Sequence, residues 1–143
     1  MANSSIVMKF GGTSVGDAKA IERVTAIVRG RLAQRPVVVV SAMARVTDQL
    51  LQMARAAGSG DRKNALTLAR ELRERHYNTA GELLGTALFT QFHGDLGTEF
   101  EELEELLRGI ASSRTKPSLV PHLCLKTQMP SSANWFGHCW NKN

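Results

Sequence analysis

Residues 6–17 read IVMKFGGTSVGD, and this stretch decides the fold class of the chain. Its apolar start predicts a short buried strand, and the paired glycines Gly11 and Gly12 predict a tight turn directly after it. Asp17 predicts the start of a helix, because apolar residues then recur at intervals of three and four from Ala20 to Leu32. Strand, turn and helix in this order form the first half of a βαβ unit.

Four consecutive valines, Val37 to Val40, complete this unit as a second strand. Such a run is typical of a strand buried on both faces, as in a parallel sheet covered by helices. Crossovers between parallel strands are nearly always right-handed, which leaves both carboxyl ends at one sheet edge, where ligands usually bind. The sequence therefore predicts an α/β fold.

Helices are also predicted after the second strand. Apolar spacing indicates helices over about residues 47–57 and 62–84, separated by a turn at 58–61. Thr98 and Glu101 have the spacing of a capping box, so a further helix is predicted to start at Thr98.

The composition changes abruptly near residue 111. Residues 1–110 hold 14 of the 18 Lys and Arg and all 13 Asp and Glu, a net charge of +1. Residues 112–143 hold both Trp, both Cys and three of the four Pro, and they show no sustained helical or strand period. We therefore predict one domain over residues 1–111 and an irregular tail over residues 112–143.

Composition also argues against several classes of function. The sequence shows neither an apolar stretch long enough for a membrane span nor the pattern of a signal peptide, so a cytoplasmic protein is expected. Two cysteines imply no disulfide framework. Residues 1–110 are nearly neutral and lack the basic character of a protein that binds nucleic acid.

Lys9 and the glycines after it form a candidate phosphate site. Glycines let successive backbone N–H groups approach phosphate oxygens, and the helix that starts at Asp17 adds a positive dipole. Lys9 could stabilise the charge of a transferring phosphoryl group. A tight turn beside a solvent-exposed lysine explains the same residues equally well, so both interpretations stay open.

The residues after the second strand offer candidate substrate contacts. Ser41 and Thr47 could hydrogen-bond a carboxylate or a phosphate, and Arg45 could pair with an anion. For Thr47, a helix N-cap is an equally good explanation.

Other polar clusters favour structural roles. Four glutamates between residues 101 and 105 are interpreted as a solvated helix face. His76 and His93 have no partner that the sequence identifies. No zinc signature is formed by the ligand types in the tail, which are His122, Cys124, His138 and Cys139.

Two ordered motifs together resemble aspartate kinases. They are VMKFGGTSVG at residues 7–16, and VVVSAM followed by VTDQLL at residues 38–43 and 46–51. The resemblance covers about residues 4–110 and implies a partial amino-acid-kinase fold, a mainly parallel sheet between helical layers. It also implies ATP-dependent phosphorylation of the L-aspartate side-chain carboxylate to 4-phospho-L-aspartate, the first step of lysine, threonine and methionine biosynthesis.

The resemblance further implies roles for individual residues. Lys9 would be the catalytic residue and contact the transferring phosphate, and Ser41 and Thr47 would bind aspartate. ATP would be the co-substrate with Mg²⁺, no side chain here would hold a metal, and full-length members would be homo-oligomers without nucleic-acid or membrane partners. The ATP-binding loop would comprise Lys9, Gly11, Gly12, Thr13 and Ser14.

The resemblance stops near residue 111. A Ser-Phe-Gly-Glu motif that follows in the family, and whose glutamate organises the aspartate site, does not occur in this sequence. We expect a chain truncated or frameshifted after about residue 111, marginally stable and inactive. The alternative is a non-catalytic fragment that binds ATP or a partner.

Overall fold

The computed structural model describes residues 5–113, which divide into two compact units at Arg45 and Val46. The first unit has strands β1 (Val7–Phe10) and β2 (Val37–Val40), helix α1 (Ala18–Arg29), and 3₁₀ turns at Gly12–Val15 and Leu32–Gln34. The second unit has helices α2 (Val46–Gly58), α3 (Arg62–Leu83) and α4 (Thr86–Ser112).

The first unit confirms the predicted βαβ order. β1 and β2 pair in parallel, with Val7 opposite Val37 and Lys9 opposite Val39. Because the strands are in register, both end at the same sheet edge, where the Phe10 carbonyl accepts a hydrogen bond from the Ser41 N–H at 3.1 Å. The sheet edge that carries the candidate site is therefore built by local pairing of the two strands.

Helix α1 starts where the sequence predicts. The Asp17 carboxylate accepts a hydrogen bond from the Ala20 N–H at 2.8 Å, which satisfies one of the free donors of the first turn. Ile21, Val24 and Val28 form its buried stripe. The prediction that this stripe continues to Leu32 was wrong, because α1 ends at Arg29 and Leu32 lies in a 3₁₀ turn, 46% exposed.

The prediction that the valine strand is buried on both faces was also wrong for the described residues. Paired residues of a parallel sheet share a face, so Val7, Val37 and Val39 lie on the same side as Lys9. These valines are 72%, 53% and 45% exposed, since β1 and β2 are the only strands among residues 5–113. We call Val7, Val37 and Val39 the open valine face.

The turn that joins α2 to α3 is short, and hydrogen bonds cap the helix on each side of it. Gly60 follows the end of α2 and has a left-handed backbone, with φ +86°. Its N–H donates to the Ala57 carbonyl, and the Asp61 N–H donates to the Ala56 carbonyl. This pair of bonds is a Schellman motif. Asp61 then caps α3 by accepting from the Asn64 N–H at 3.1 Å.

Small and flexible side chains form the core between α2 and α3. Met53, Ala57, Ala65 and Ala69 are almost fully buried, and alanines allow two helices to approach closely. Leu72, Phe100 and Leu107 bury the contact of α3 with α4. The three helices thus share one apolar core, as the helical periodicity of the sequence predicts.

Helix α4 starts twelve residues before the predicted position. The capping box at Thr98 was wrong, because Thr98 lies inside the helix and its Oγ1 donates to the Gly94 carbonyl at 3.3 Å. A threonine hydroxyl can make this bond to the preceding turn without ending a helix.

Candidate functional site

The candidate phosphate site lies in the first unit, in the connection from β1 to α1. The Ser14 N–H donates to the Gly11 carbonyl at 2.9 Å and closes a 3₁₀ turn over Gly12–Val15. The first N–H groups of any helical turn have no acceptor inside it. Gly12 and Thr13 supply these donors, so the turn presents backbone N–H groups near the end of β1.

Gly11 lies in open space. An added Cβ at this position would have no atom within 4 Å, and its backbone, with φ −80° and ψ 173°, is a conformation that any residue adopts. Neither packing nor backbone geometry within the described residues explains a glycine here. The open side of Gly11 leaves room for a ligand to approach the backbone closely.

Gly12 is constrained by the loop that follows β2. An added Cβ would lie 3.1 Å from the Ala42 carbonyl oxygen and 3.5 Å from the Ala44 Cα. A side chain at Gly12 therefore requires a backbone shift. The 41–45 loop and the 3₁₀ turn are thus packed against each other within the first unit.

Lys9 supplies the positive charge closest in sequence to the turn. Its side chain is exposed on the face of the sheet that carries the open valine face, and it forms no ion pair within residues 5–113. Asp17, the carboxylate nearest in sequence, is engaged as the α1 cap and partly offsets the dipole of that helix. The N–H groups of the 3₁₀ turn and the Lys9 ammonium are therefore better placed to bind an anion than the start of α1.

The predicted substrate residues fall in both units. Ser41 is exposed directly after β2, beside the turn, and Arg45 is exposed with a left-handed backbone, φ 68°. Thr47 is the second residue of α2 and is exposed. The N-cap interpretation of Thr47 was wrong, because α2 already begins at Val46. The structure brings Ser41 to the turn, and the roles of Ser41 and Thr47 both stay predictions.

A comparison with protein families decides the classification. The sequence profile of the amino acid kinase family matches residues 4–114, which include β1, the 3₁₀ turn, β2 and all three helices of the second unit. The chain belongs to the amino acid kinase family. The described part, with its small parallel sheet and its helices, is a partial form of the α/β fold expected for this family.

Within the amino acid kinase family, the chain is similar to aspartokinases. It is 42% identical to the aspartokinase of Chlamydia trachomatis over 71% of this chain and 22% of the relative. It is 38% identical to bifunctional aspartokinase/homoserine dehydrogenase 2, chloroplastic, of Zea mays over 73% of this chain and 11% of the relative. Aspartokinase 3, chloroplastic, of Arabidopsis thaliana is 36% identical over 92% of this chain and 24% of the relative. The chain thus spans a quarter or less of each of these relatives.

The coverage of these matches bears on the proposed boundary at residue 111. Residues 1–111 are 111 of 143, about 78% of the chain, whereas the match to the Arabidopsis protein covers 92%. Part of that alignment therefore falls within residues 112–143. Similarity to the family is not confined to residues 1–111, and the two-part division stays a prediction.

Residues 5–113 contain no group of three or more His, Cys, Asp or Glu side chains placed to hold a metal ion. The tail ligand types, His122, Cys124, His138 and Cys139, lie outside the described residues. No helix within residues 5–113 is long and apolar enough to cross a membrane.

The sequence interpretation missed two buried polar residues of this kinase-family chain, both in the helical unit. His76 is buried, its Nδ1 lies 2.7 Å from the Leu72 carbonyl oxygen, and its ring packs against Phe100. The solvated face predicted for the acidic run is confirmed for Glu101, Glu102 and Glu105, which are exposed, but was wrong for Glu104, which is only 8% exposed. Its carboxylate pairs with Arg108 at 2.6 Å and with Arg73 at 3.6 Å.

A periodic signal could have found both residues. His76 follows Leu72 by four positions, and Glu104 follows Phe100 by four, so each lies on the apolar stripe of its helix. Their partners are in the helical unit, and neither residue belongs to the phosphate site.

Proposed function

We propose that this chain carries the amino-terminal, phosphate-binding part of an aspartokinase. The observation that carries the proposal is Gly11, whose open surroundings leave room for a phosphate beside the N–H donors of the 3₁₀ turn. Similarity to aspartokinases from bacteria and plants supports aspartate as the acceptor. The reaction would be ATP-dependent phosphorylation of the aspartate side-chain carboxylate, which opens lysine, threonine and methionine biosynthesis.

In this proposal the residues of the first unit divide the work of phosphoryl transfer. Gly11, Gly12, Thr13 and Ser14 hold phosphate oxygens, and Lys9 stabilises the charge on the transferring group. Ser41, at the same sheet edge, contacts the aspartate carboxylate. Thr47 is proposed to assist Ser41 on the strength of the motif alone.

The turn fits ATP held together with Mg²⁺ through its phosphates. Mg²⁺ prefers oxygen ligands and commonly binds through substrate phosphates and water with few carboxylates. In this proposal the metal is held by the phosphates and water, and the Asp17 carboxylate serves as the cap of α1. When bound with ATP, Mg²⁺ would neutralise phosphate charge.

The first test measures ATP binding to the purified chain by calorimetry. Lys9→Ala is expected to weaken binding about tenfold, since it removes a full charge from a phosphate contact. Lys19→Ala, at an exposed lysine of α1, is the matched control and should leave binding unchanged. Equal affinity of the Lys9→Ala variant and the wild type would reject the assignment of Lys9.

The second test separates an enzyme from a binding fragment. We propose that the chain binds ATP without turnover, so hydroxylamine should trap no acyl phosphate in the presence of aspartate and ATP. Turnover that Lys9→Ala abolishes would show an active enzyme instead. ATP binding without turnover, in a chain that pairs with an intact kinase subunit, would support the alternative of an interaction fragment.

The tail, the cellular location and the assembly stay part of the proposal. A frameshift after about residue 111 predicts that another reading frame of the gene encodes a Ser-Phe-Gly-Glu segment downstream, and its absence would exclude this explanation. We also propose a cytoplasmic location and homo-oligomers for the full-length protein, both of which fractionation and sedimentation can check.

A further inference from the structure

The 41–45 loop contacts the 3₁₀ turn at two glycines that have no side chain on the facing side. An added Cβ at Gly12 would lie 3.5 Å from both the N and the Cα of Ala44, and one at Gly16 would lie 3.5 Å from the Ala44 Cβ. Ala44 is half-buried. The backbone of Ala44 therefore faces Gly12 and its Cβ faces Gly16, each at the distance at which a side chain on the glycine would begin to touch it.

We propose that Ala44 is a positioning residue for the phosphate site, through its packing against Gly12 and Gly16. This inference rests on the proposed function, because it assigns a role toward the same phosphate. Ala44 does not touch the phosphate itself. It fixes the direction of the N–H groups of the turn that do.

The neighbouring contacts explain why this packing would matter. β1 holds the turn at one end, and Asp17, through its cap of α1, holds it at the other. Between these points, the turn contacts the 41–45 loop at Gly12, which lies against the Ala42 carbonyl, and at Gly16. A misplacement of about 1 Å in a site can cost on the order of a hundredfold in rate, so groups aimed at a phosphate must be held in position. The size of residue 44 thus sets the position of the donors.

The Cβ of residue 44 faces the side of Gly16 that carries no side chain, so larger side chains at residue 44 extend toward the end of the turn. Valine adds two methyl groups on a branched Cβ, and packed sites respond to added methyl groups with shifts of the backbone. Serine keeps nearly the volume of alanine. The two substitutions therefore separate bulk from a general sensitivity of the position.

The experiment measures binding of inorganic tripolyphosphate to the full chain, together with amide hydrogen exchange of residues 11–16. Ala44→Val is expected to weaken binding about tenfold and to change exchange in residues 11–16 while exchange in α2, α3 and α4 stays as in the wild type. Ala44→Ser should keep both the binding of tripolyphosphate and the exchange of residues 11–16 as in the wild type. Ala33→Val, at an exposed position of the second 3₁₀ turn, is the control and should alter neither.

The two readouts keep this proposal separate from the proposed function. If the wild type does not bind tripolyphosphate, the phosphate site fails, and exchange alone decides whether Ala44 positions the turn. Unchanged exchange of residues 11–16 in Ala44→Val overturns the inference in every case. Exchange that rises throughout the chain would show a general loss of stability and would also overturn it.

Discussion

Gly11 and Gly12 are neighbours in the turn after β1, but the structure constrains them differently. Gly11→Ala should keep or slightly raise the free energy of unfolding of the first unit, because its backbone suits alanine and its surroundings are open. Gly12→Ala should lower it by about 1–3 kcal/mol, because the new Cβ meets the Ala42 carbonyl. Amide exchange of β1 and α1 measures both effects.

Gly11→Ala and the wild type should also differ in their affinity for ATP. Gly11→Ala is expected to weaken binding although the fold is intact, since its methyl group takes the space proposed for a phosphate. A Gly11→Ala variant that binds ATP as tightly as the wild type would remove the main support for the phosphate site.

His76 predicts how the stability of the helical unit depends on pH. Burial lowers the pKa of its imidazole below the ordinary value; the charge of Arg75 also lowers it, and the hydrogen bond with the Leu72 carbonyl opposes this shift. Between the lowered and the ordinary pKa, His76 is therefore mostly protonated in the unfolded chain and mostly neutral in the folded unit. The stabilisation is fully present above the ordinary histidine pKa of about 6.5 and is lost as the pH falls through the lowered pKa.

Urea denaturation at several pH values tests this expectation, with the helical signal as the probe. The wild type should lose stability below about pH 6.5, and His76→Gln should flatten this part of the profile. His93→Gln, at an exposed histidine, leaves His76 in place and should keep the wild-type slope. An unchanged slope in His76→Gln would show that other groups cause the pH dependence.

At the scale of elements, the link between α2 and α3 depends on Gly60. Its φ of +86° lies in the left-handed region, which costs a side-chain-bearing residue about 1 kcal/mol or more. Gly60→Ala should lower the free energy of unfolding of the helical unit by that amount. Gly58→Ala, two residues earlier at the end of α2 and with open space around it, should be neutral or slightly stabilising. Thermal unfolding followed by circular dichroism compares the two variants.

Helix ends were predictable where one residue carries the signal. Asp17 caps α1 where the sequence predicts a helix start, because an N-cap bond is made within three residues of the same segment. Asp61, which the sequence placed only in a turn, caps α3 in the same way. The spacing of Thr98 and Glu101 wrongly predicted a helix start, because the same spacing also occurs inside helices. Tertiary packing continues α4 through this point, as the buried Leu96 shows. Local spacing cannot report that packing.

At the scale of the whole molecule, the open valine face predicts self-association. Exposed apolar strands favour intermolecular contacts, and this face carries three valines and a single charge, Lys9. The double substitution Val37→Thr and Val39→Thr keeps β-branched side chains and should reduce concentration-dependent light scattering. Ile27→Thr, at an isolated exposed residue of α1, should have little effect. Scattering that is the same in all three proteins would contradict the prediction.

The sequence predicted the candidate site in part, for a reason that concerns the whole chain. Lys9, the glycines and Ser41 could be grouped because β1 and β2 are adjacent and parallel, so the order of elements fixes which residues share an edge. Thr47 could not be placed in this way, because it follows Arg45 and belongs to the helical unit. Burial of the valines could not be predicted either, since it depends on neighbouring strands that residues 5–113 do not supply.

The contact of Tyr77 with His93 has a practical consequence for optical work. Tyr77 is the single tyrosine of the chain; its ring stacks on His93 with centroids 4.1 Å apart, and its hydroxyl donates to the His93 carbonyl at 3.3 Å. Residues 5–45 contain neither tyrosine nor tryptophan. The Tyr77 ring therefore gives an optical probe between α3 and α4, whereas residues 5–45 supply no tyrosine or tryptophan near the 3₁₀ turn. Ligand titrations of this protein call for a labelled nucleotide, or for a tryptophan introduced into residues 5–45 of a variant without Trp135 and Trp140.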